Sequence, residues 1–201
     1  SNAAILTTYK DAGVDFVAGA NGALTIDASV VNTAIGLSSA AKLLPTDVVT
    51  VTVTSAQLSS ADLVAYKAFG VDNLVVAAAS GVTPSVSLAA VQAVIGNQLS
   101  FVNNVTVAID ATDATQLNYV IDNSGALFGS GVKSVHVTGA EAALTMKQLS
   151  SLLAAGAGGV KFDADIKVAV TTAADLAYFS ASAKEIQALQ KEFWSDVKIP
   201  G

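Results

Sequence analysis

The chain contains no cysteine, few charged residues and few aromatic residues. Because none of its 201 residues is cysteine, disulfide bonds and thiolate metal sites are excluded. Charged residues make up 13% of the chain and aromatic residues 6%. The charged share is about half of that usual for a soluble domain. Hydrophobic residues make up 52%, so the chain has ample material for a buried core.

Basic residues are scarce, and long uninterrupted hydrophobic runs are absent. Ten Lys and Arg stand against 16 Asp and Glu, which gives a net charge of −6. Nucleic-acid binding requires clustered basic side chains, so we expect no nucleic-acid partner. No charge occurs between Asp72 and Asp110, but polar residues such as Gln92 and Asn97 interrupt this stretch. A membrane helix needs about 20 nearly continuous apolar residues, so we expect no transmembrane segment.

Two kinds of related segment alternate along the chain. Segments of the first kind begin with Gly-Val at residues 13, 70 and 131, and those of the second kind begin at residues 48, 102 and 163. Each opens with alternating apolar residues, as at Val51 and Val53 or Val135 and Val137, which predicts a β-strand. A polar turn and an Ala/Leu-rich stretch of helical length follow. The clearest predicted helices are 62–69, 88–95, 146–155 and 183–193, and glycines at 70, 131 and 156 predict helix C-caps.

Alternation of strand and helix six times predicts an α/β fold with parallel strands. Two architectures satisfy this pattern, a parallel β/α solenoid and a doubly wound α/β sheet. We favour the solenoid, because internal repetition is its signature and the strands alternate instead of being continuously apolar. Residues 1–3 have the character of an expression-tag scar. We expect residues 4–201 to form a single β/α repeat domain, a fragment of a larger protein.

The strand followed by an Ala/Leu-rich helix resembles leucine-rich-repeat geometry. More closely, the stretch TVTSAQLSSADLVAYKAFGVDNL, residues 52–74, resembles repeats in very large bacterial surface and secreted proteins of the adhesin and RTX-exported kind. The resemblance implies export to the medium or the cell surface, a structural or adhesive role, and a use for calcium. The chain lacks the Gly-Gly-x-Gly-x-Asp repeat of the RTX family.

One face of the predicted sheet is a candidate partner-binding surface. Residues between the last two core positions of each strand lie in one column on the face away from the helices. Its members are Thr52, Val75, Thr106, His136 and Lys167. His136 is the only histidine, and neither expected neighbour, Thr106 or Lys167, carries a carboxylate to orient it. We therefore expect a surface histidine on a scaffold and a chain that is not an enzyme.

Acidic turns offer a candidate calcium site and a simpler alternative. Asp110 and Asp113, in AIDATDAT, supply the oxygen ligands that calcium prefers. The alternative is helix capping, by Asp113 singly and by two capping boxes, Ser59-x-x-Asp62 and Thr172-x-x-Asp175. Calcium is the one candidate cofactor, and no other is expected.

The sequence thus predicts a structural or adhesive repeat segment of a large exported bacterial surface protein. It would bind a protein or glycan on a cell surface, or neighbouring repeats of the same chain, through its exposed sheet face. The alternative is a small-ligand-binding or enzymatic α/β domain. That alternative places a pocket at the carboxyl ends of the strands, near Asp110, Asp113 and the turn TTAAD.

Overall fold

A computed structural model describes residues 16–17, 22–36, 42–43, 46–139, 143–155, 159–163, 167–169 and 171–182. The fold is mixed α/β with parallel strand pairing, as the sequence predicts. The chain divides between Val105 and Thr106 into two compact units. The expectation of a single domain stays a prediction.

The first unit alternates strands and helices. Its elements are β1 (Phe16–Val17), β2 (Ala23–Asp27), α1 (Ala28–Gly36), β3 (Lys42–Leu43), β4 (Val48–Val53), α2 (Ser55–Ser60), α3 (Leu63–Phe69), β5 (Asn73–Val76), β6 (Ser85–Ser87), α4 (Leu88–Gly96) and β7 (Ser100–Phe101). Strands β2, β4, β5 and β7 form a parallel sheet in that order. Strands β1 and β3 form a separate parallel pair.

The core of the first unit lies on one side of this sheet. Ile26, Val51, Leu74 and Phe101 pair in register across the four strands, and all four are buried. Helix α1 contacts β2, β4 and α3 on that side. Tyr66 of α3 is fully buried, and its hydroxyl donates to Asn32 Oδ1 at 2.8 Å. Burial raises the pKa of Tyr66, so this phenol stays a neutral donor at physiological pH.

The second unit has the same kind of alternation. Its elements are β8 (Val105–Asp110), whose first residue lies at the boundary, α5 (Ala114–Gly129), β9 (Val132–Thr138), β10 (Ala143–Thr145), α6 (Met146–Ala155), β11 (Val160–Phe162), β12 (Lys167–Ala169) and α7 (Ala173–Ala181). Strand β9 lies between β8 and β11 and is parallel to β11. Strands β10 and β12 form a second parallel pair. Buried Leu117, Leu127, Leu149 and Leu152 of α5 and α6 supply much of the core.

A nearly constant length of chain separates the paired strands. In the first unit Phe16 pairs with Lys42, Ala23 with Val48, Thr50 with Asn73 and Asn73 with Ser100; in the second, Val135 pairs with Val160 and Ala143 with Lys167. Partners therefore lie 23 to 27 residues apart in these six pairs. Each interval contains at least one helix.

Most predicted helices and helix caps are confirmed. The helix predicted over 146–155 has those bounds, and those over 62–69 and 88–95 are found within one residue as α3 and α4. Gly70 caps α3 with φ 102°, and Gly131, with φ 96°, follows the last turn of α5. Gly156 and the helix over 183–193 lie outside the described residues. No helix in the described part of the chain is long and apolar enough to cross a membrane.

One of the two predicted capping boxes is wrong. Thr172 and Asp175 form the predicted box at the start of α7, and Asp113 caps α5. Asp62 instead caps α3 itself, because its Oδ1 accepts from the Ala65 amide. Ser59 still belongs to α2, where its hydroxyl donates to the Ser55 carbonyl. Thr54 and Gln57 form a capping box at the start of α2, which was not predicted from the sequence.

Candidate functional site

The first unit presents two rows of mostly polar side chains on the side of the sheet away from its core. The first row is Thr25, Thr50, Asn73 and Ser100, which pair in register across β2, β4, β5 and β7. The second row is Asp27, Thr52 and Val75. Their chain neighbours Ile26, Val51 and Leu74 are buried, so strand alternation turns both rows outward. These rows are called the outer face below.

The polar groups of the outer face make no side-chain hydrogen bonds to other described residues. Asp27 and Thr25 are exposed, and Thr50, Thr52 and Asn73 are partly exposed. Asp27 and Thr52 also line a pocket of about 220 Å³ together with Ser29, Thr54 and Gln57. This pocket lies where β2 and β4 end, which is the usual ligand-binding edge of parallel strands.

The predicted column of partner-binding residues is only partly formed. Thr52 and Val75 pair in register, as expected. In the second unit, however, His136 pairs with Lys161, whereas Lys167 pairs with Ala143 in the other strand pair. Lys161 therefore takes the position beside His136 that the sequence assigned to Lys167. Thr106 is a half-buried residue of β8.

His136 is the centre of a serine–histidine–aspartate cluster. Its Nδ1 atom lies 2.7 Å from Asp163 Oδ2, and its Nε2 atom lies 3.1 Å from Ser134 Oγ. The expectation that no carboxylate adjoins His136 is therefore wrong. A proton on Nδ1 donates to the carboxylate, which leaves the Nε2 lone pair to accept from the serine hydroxyl.

Strand geometry holds the three side chains together. Ser134 and His136 are two residues apart on β9, so they lie on the same side of the sheet. Asp163 follows β11 directly, and its amide donates to the Val137 carbonyl at 3.0 Å, which fixes its backbone against β9. Ser134 is 6% exposed, whereas the side chains of His136 and Asp163 are 28% and 32% exposed. The cluster is thus anchored at its serine and open to solvent at its other end.

Asp110 and Asp113 belong to the turn between β8 and α5. Asp110 Oδ1 accepts from the amide and the hydroxyl of Thr112, at 2.8 and 2.7 Å. Asp113 accepts from the amides of Thr115 and Gln116 and from the Gln116 side-chain amide. The side-chain oxygen Oε1 of Gln116 accepts from the Asp110 backbone amide at 3.1 Å and so links the two turns.

These hydrogen bonds favour the charged form of both carboxyl groups. The Thr112 hydroxyl lowers the pKa of Asp110, and the Gln116 side chain lowers the pKa of Asp113. Turn and cap interactions thus occupy three of the oxygen atoms that a calcium ion would use. Among the described residues, no group of three or more His, Cys, Asp or Glu side chains is close enough together to hold a metal ion.

Comparison with known proteins adds no relative. No protein-family model matches the chain, and no curated protein is significantly similar to it.

Proposed function

We propose that the chain is part of a β/α solenoid that serves as a structural or adhesive repeat segment of a large exported bacterial surface protein. The observation that carries the proposal is the 23- to 27-residue separation of paired residues. A solenoid pairs each coil with the next one, so a constant separation follows directly from its geometry. A doubly wound sheet changes direction at its first strand and pairs strands at unequal separations.

The distribution of polar residues supports the same proposal. In the first unit the inner face of the sheet is apolar and covered, while the outer face carries Thr, Asn, Ser and Asp. A doubly wound sheet buries both faces of its central strands, which are then apolar on both sides. Strand β4, with Thr50 and Thr52 outward and Val49, Val51 and Val53 inward, is paired on both edges and still alternates.

The outer face is the proposed contact surface for a protein or glycan partner. Its hydroxyl and amide groups can both donate and accept hydrogen bonds, and none of them makes a side-chain bond within the described residues. Parallel strands repeat them at intervals of about 4.8 Å. An extended partner lying across the strands would meet an equivalent group on every coil, which is how solenoids bind extended ligands.

Deletion of one coil tests the solenoid. Thr50 pairs with Asn73, so removal of residues 50–72 joins Val49 to Asn73 and keeps the register of the strands. We expect this variant to unfold cooperatively with an unchanged circular dichroism signal per residue, because each coil contacts only its neighbours. The matched control removes residues 50–61, about half a coil, which takes out α2 and most of β4 and shifts the following strand out of register. Equal loss of structure in both variants would contradict the proposal.

Partner binding is tested with substitutions on opposite sides of the first unit. Thr52→Arg places a bulky cation in the centre of the outer face, whereas Thr33→Arg places it on the exposed side of α1. Arrays of bacterial and host surface glycans and proteins would be screened with the unmodified chain. We expect Thr52→Arg, and not Thr33→Arg, to abolish the binding found. Equal binding by both variants would exclude the outer face as the contact surface.

The expected location is a separate part of the proposal. Antibodies raised against the chain should label intact bacterial cells or detect the parent protein in the culture medium. Labelling that requires permeabilised cells would contradict export of the protein, but it would not contradict the solenoid architecture.

A further inference from the structure

We propose that Ser134, His136, Asp163 and Lys161 form a hydrolytic site for small carboxylic esters. This activity goes beyond a structural or adhesive role and does not depend on the solenoid. It rests on side-chain geometry within the second unit.

The first argument is the order of contacts in the cluster. A nucleophilic hydroxyl needs a base within about 2.6 to 3.2 Å, and that base needs a third group to orient it. Ser134 Oγ lies 3.1 Å from His136 Nε2, and Asp163 Oδ2 lies 2.7 Å from Nδ1, the other ring nitrogen. Serine, histidine and aspartate are recognised as a catalytic set by these roles, whatever their order in the chain.

The second argument is preorganisation. Ser134 and His136 share one strand, and the ladder between β9 and β11 fixes the position of Asp163. The amide of Asp163 is itself bonded to Val137 O, in the middle of β9. Sites held on strands keep their geometry better than sites held on loops alone.

The third argument is a cation beside the base. Lys161 pairs in register with His136, is exposed, and makes no hydrogen bond or ion pair within the described residues. Paired residues of parallel strands lie on the same side of a sheet, about 4.8 Å apart. A lysine on this side of the sheet, beside the base, can stabilise the negative charge that develops on an attacked carbonyl oxygen.

The reaction is ester hydrolysis through an acyl-serine. Ser134 Oγ attacks the carbonyl carbon and gives its proton to His136 Nε2. The carbon–oxygen bond to the alcohol then breaks, and the departing alcohol takes that proton. Water attacks the acyl-serine, His136 accepts the proton and returns it to Ser134 Oγ, and the carboxylic acid leaves. Ester and water are converted to acid and alcohol, and the site ends in its starting state.

The burial of Ser134 selects the substrate class. Because the residue is only 6% exposed, little of it is open to solvent, which favours a small, flat acyl group such as acetyl. The proposed substrates are therefore esters of acetic acid and of similarly short carboxylic acids.

Two measurements on the intact chain test the site. A small fluorophosphonate reagent should modify wild-type protein, and peptide mass spectrometry should place the adduct on Ser134. The chain should also hydrolyse p-nitrophenyl acetate. Ser134→Ala should abolish both signals, and His136→Gln should lower kcat by about 100-fold or more. Ser59→Ala, an exposed serine whose hydroxyl bonds only within α2, is the matched control and should behave as wild type.

Asp163 and Lys161 have separable roles. Asp163 is a positioning residue, so Asp163→Asn should lower kcat with KM and circular dichroism unchanged. Lys161→Met should do the same, because it removes the ammonium group that stabilises the transition state, and an unchanged kcat would overturn the assignment of Lys161 to the site. Absence of any adduct on Ser134 in the wild-type chain overturns the proposal without reference to any variant. It is likewise overturned if ester hydrolysis survives in Ser134→Ala or if labelling of Ser134 is unaffected by His136→Gln.

Discussion

Replacement of Asn103 by alanine should destabilise the first unit, because the Asn103 side chain completes the hydrogen bonding of a buried strand residue. Asn103 follows β7, and its side chain forms two hydrogen bonds to one residue of β5. Its Oδ1 accepts from the Val76 amide at 2.9 Å, and its Nδ2 donates to the Val76 carbonyl at 2.7 Å. The Asn103 amide thus pairs with the last residue of β5, beyond the end of β7.

The expected cost follows from the burial of Val76, which is 1% exposed. A buried backbone group left without a partner costs about 1 to 3 kcal/mol, and Asn103→Ala removes both partners of Val76. We expect a loss of about 2 to 4 kcal/mol in the free energy of unfolding, since some water can replace the half-buried amide.

Urea unfolding followed by far-ultraviolet circular dichroism measures these differences. Asn97→Ala is the matched control, because Asn97 Nδ2 makes one bond, to the exposed Ala93 carbonyl. Its cost should stay below about 1 kcal/mol, since water replaces the lost donor. The reasoning would be refuted by equal midpoints for Asn103→Ala and Asn97→Ala.

Three further predictions concern the second unit. Gly139→Ala should destabilise the chain more than Gly81→Ala in thermal unfolding: both glycines have positive φ, but only at Gly139 would a Cβ meet Asp110 Oδ1, at 2.5 Å. Hydrogen bonds lower the pKa values of Asp110, Asp113 and Asp175 in the folded chain, so these carboxylates stabilise the fold at pH values above the ordinary carboxyl pKa of about 4. The melting temperature should therefore fall as the pH drops below about 4, and it should fall less steeply in Asp113→Asn. Because turn and cap bonds occupy Asp110 and Asp113, calcium and a chelator should give equal melting temperatures; a rise with calcium that Asp110→Asn removes would establish a metal site.

Local patterns in the sequence were sufficient for much of the secondary structure. Alternating valines predict β4 and β9 because a half-buried strand requires this period. The helix over 146–155 and the caps at Gly70 and Asp113 follow from side-chain and backbone preferences within a few residues. Such interactions involve residues only a few positions apart, so the local sequence is sufficient to predict them.

The short strands are harder to recognise from sequence. Strand β11, Val160–Phe162, has three residues, too few for its alternation to stand out. The alternation of apolar residues therefore predicted that β12 is the neighbour of β9 and that Lys167 lies beside His136. The structure pairs β12 with β10 instead, and β11 occupies the position next to β9.

Sequence by itself determined that this chain builds parallel strands alternating with helices, because period and capping are local properties. Tertiary structure decided which strands are neighbours, and with them the contacts of the only histidine. Ser134 and His136 are separated by one residue, but Asp163 comes from 27 residues further along and joins them only through strand register. Since a shift of one residue turns every side chain to the opposite face, no local pattern can specify such a contact.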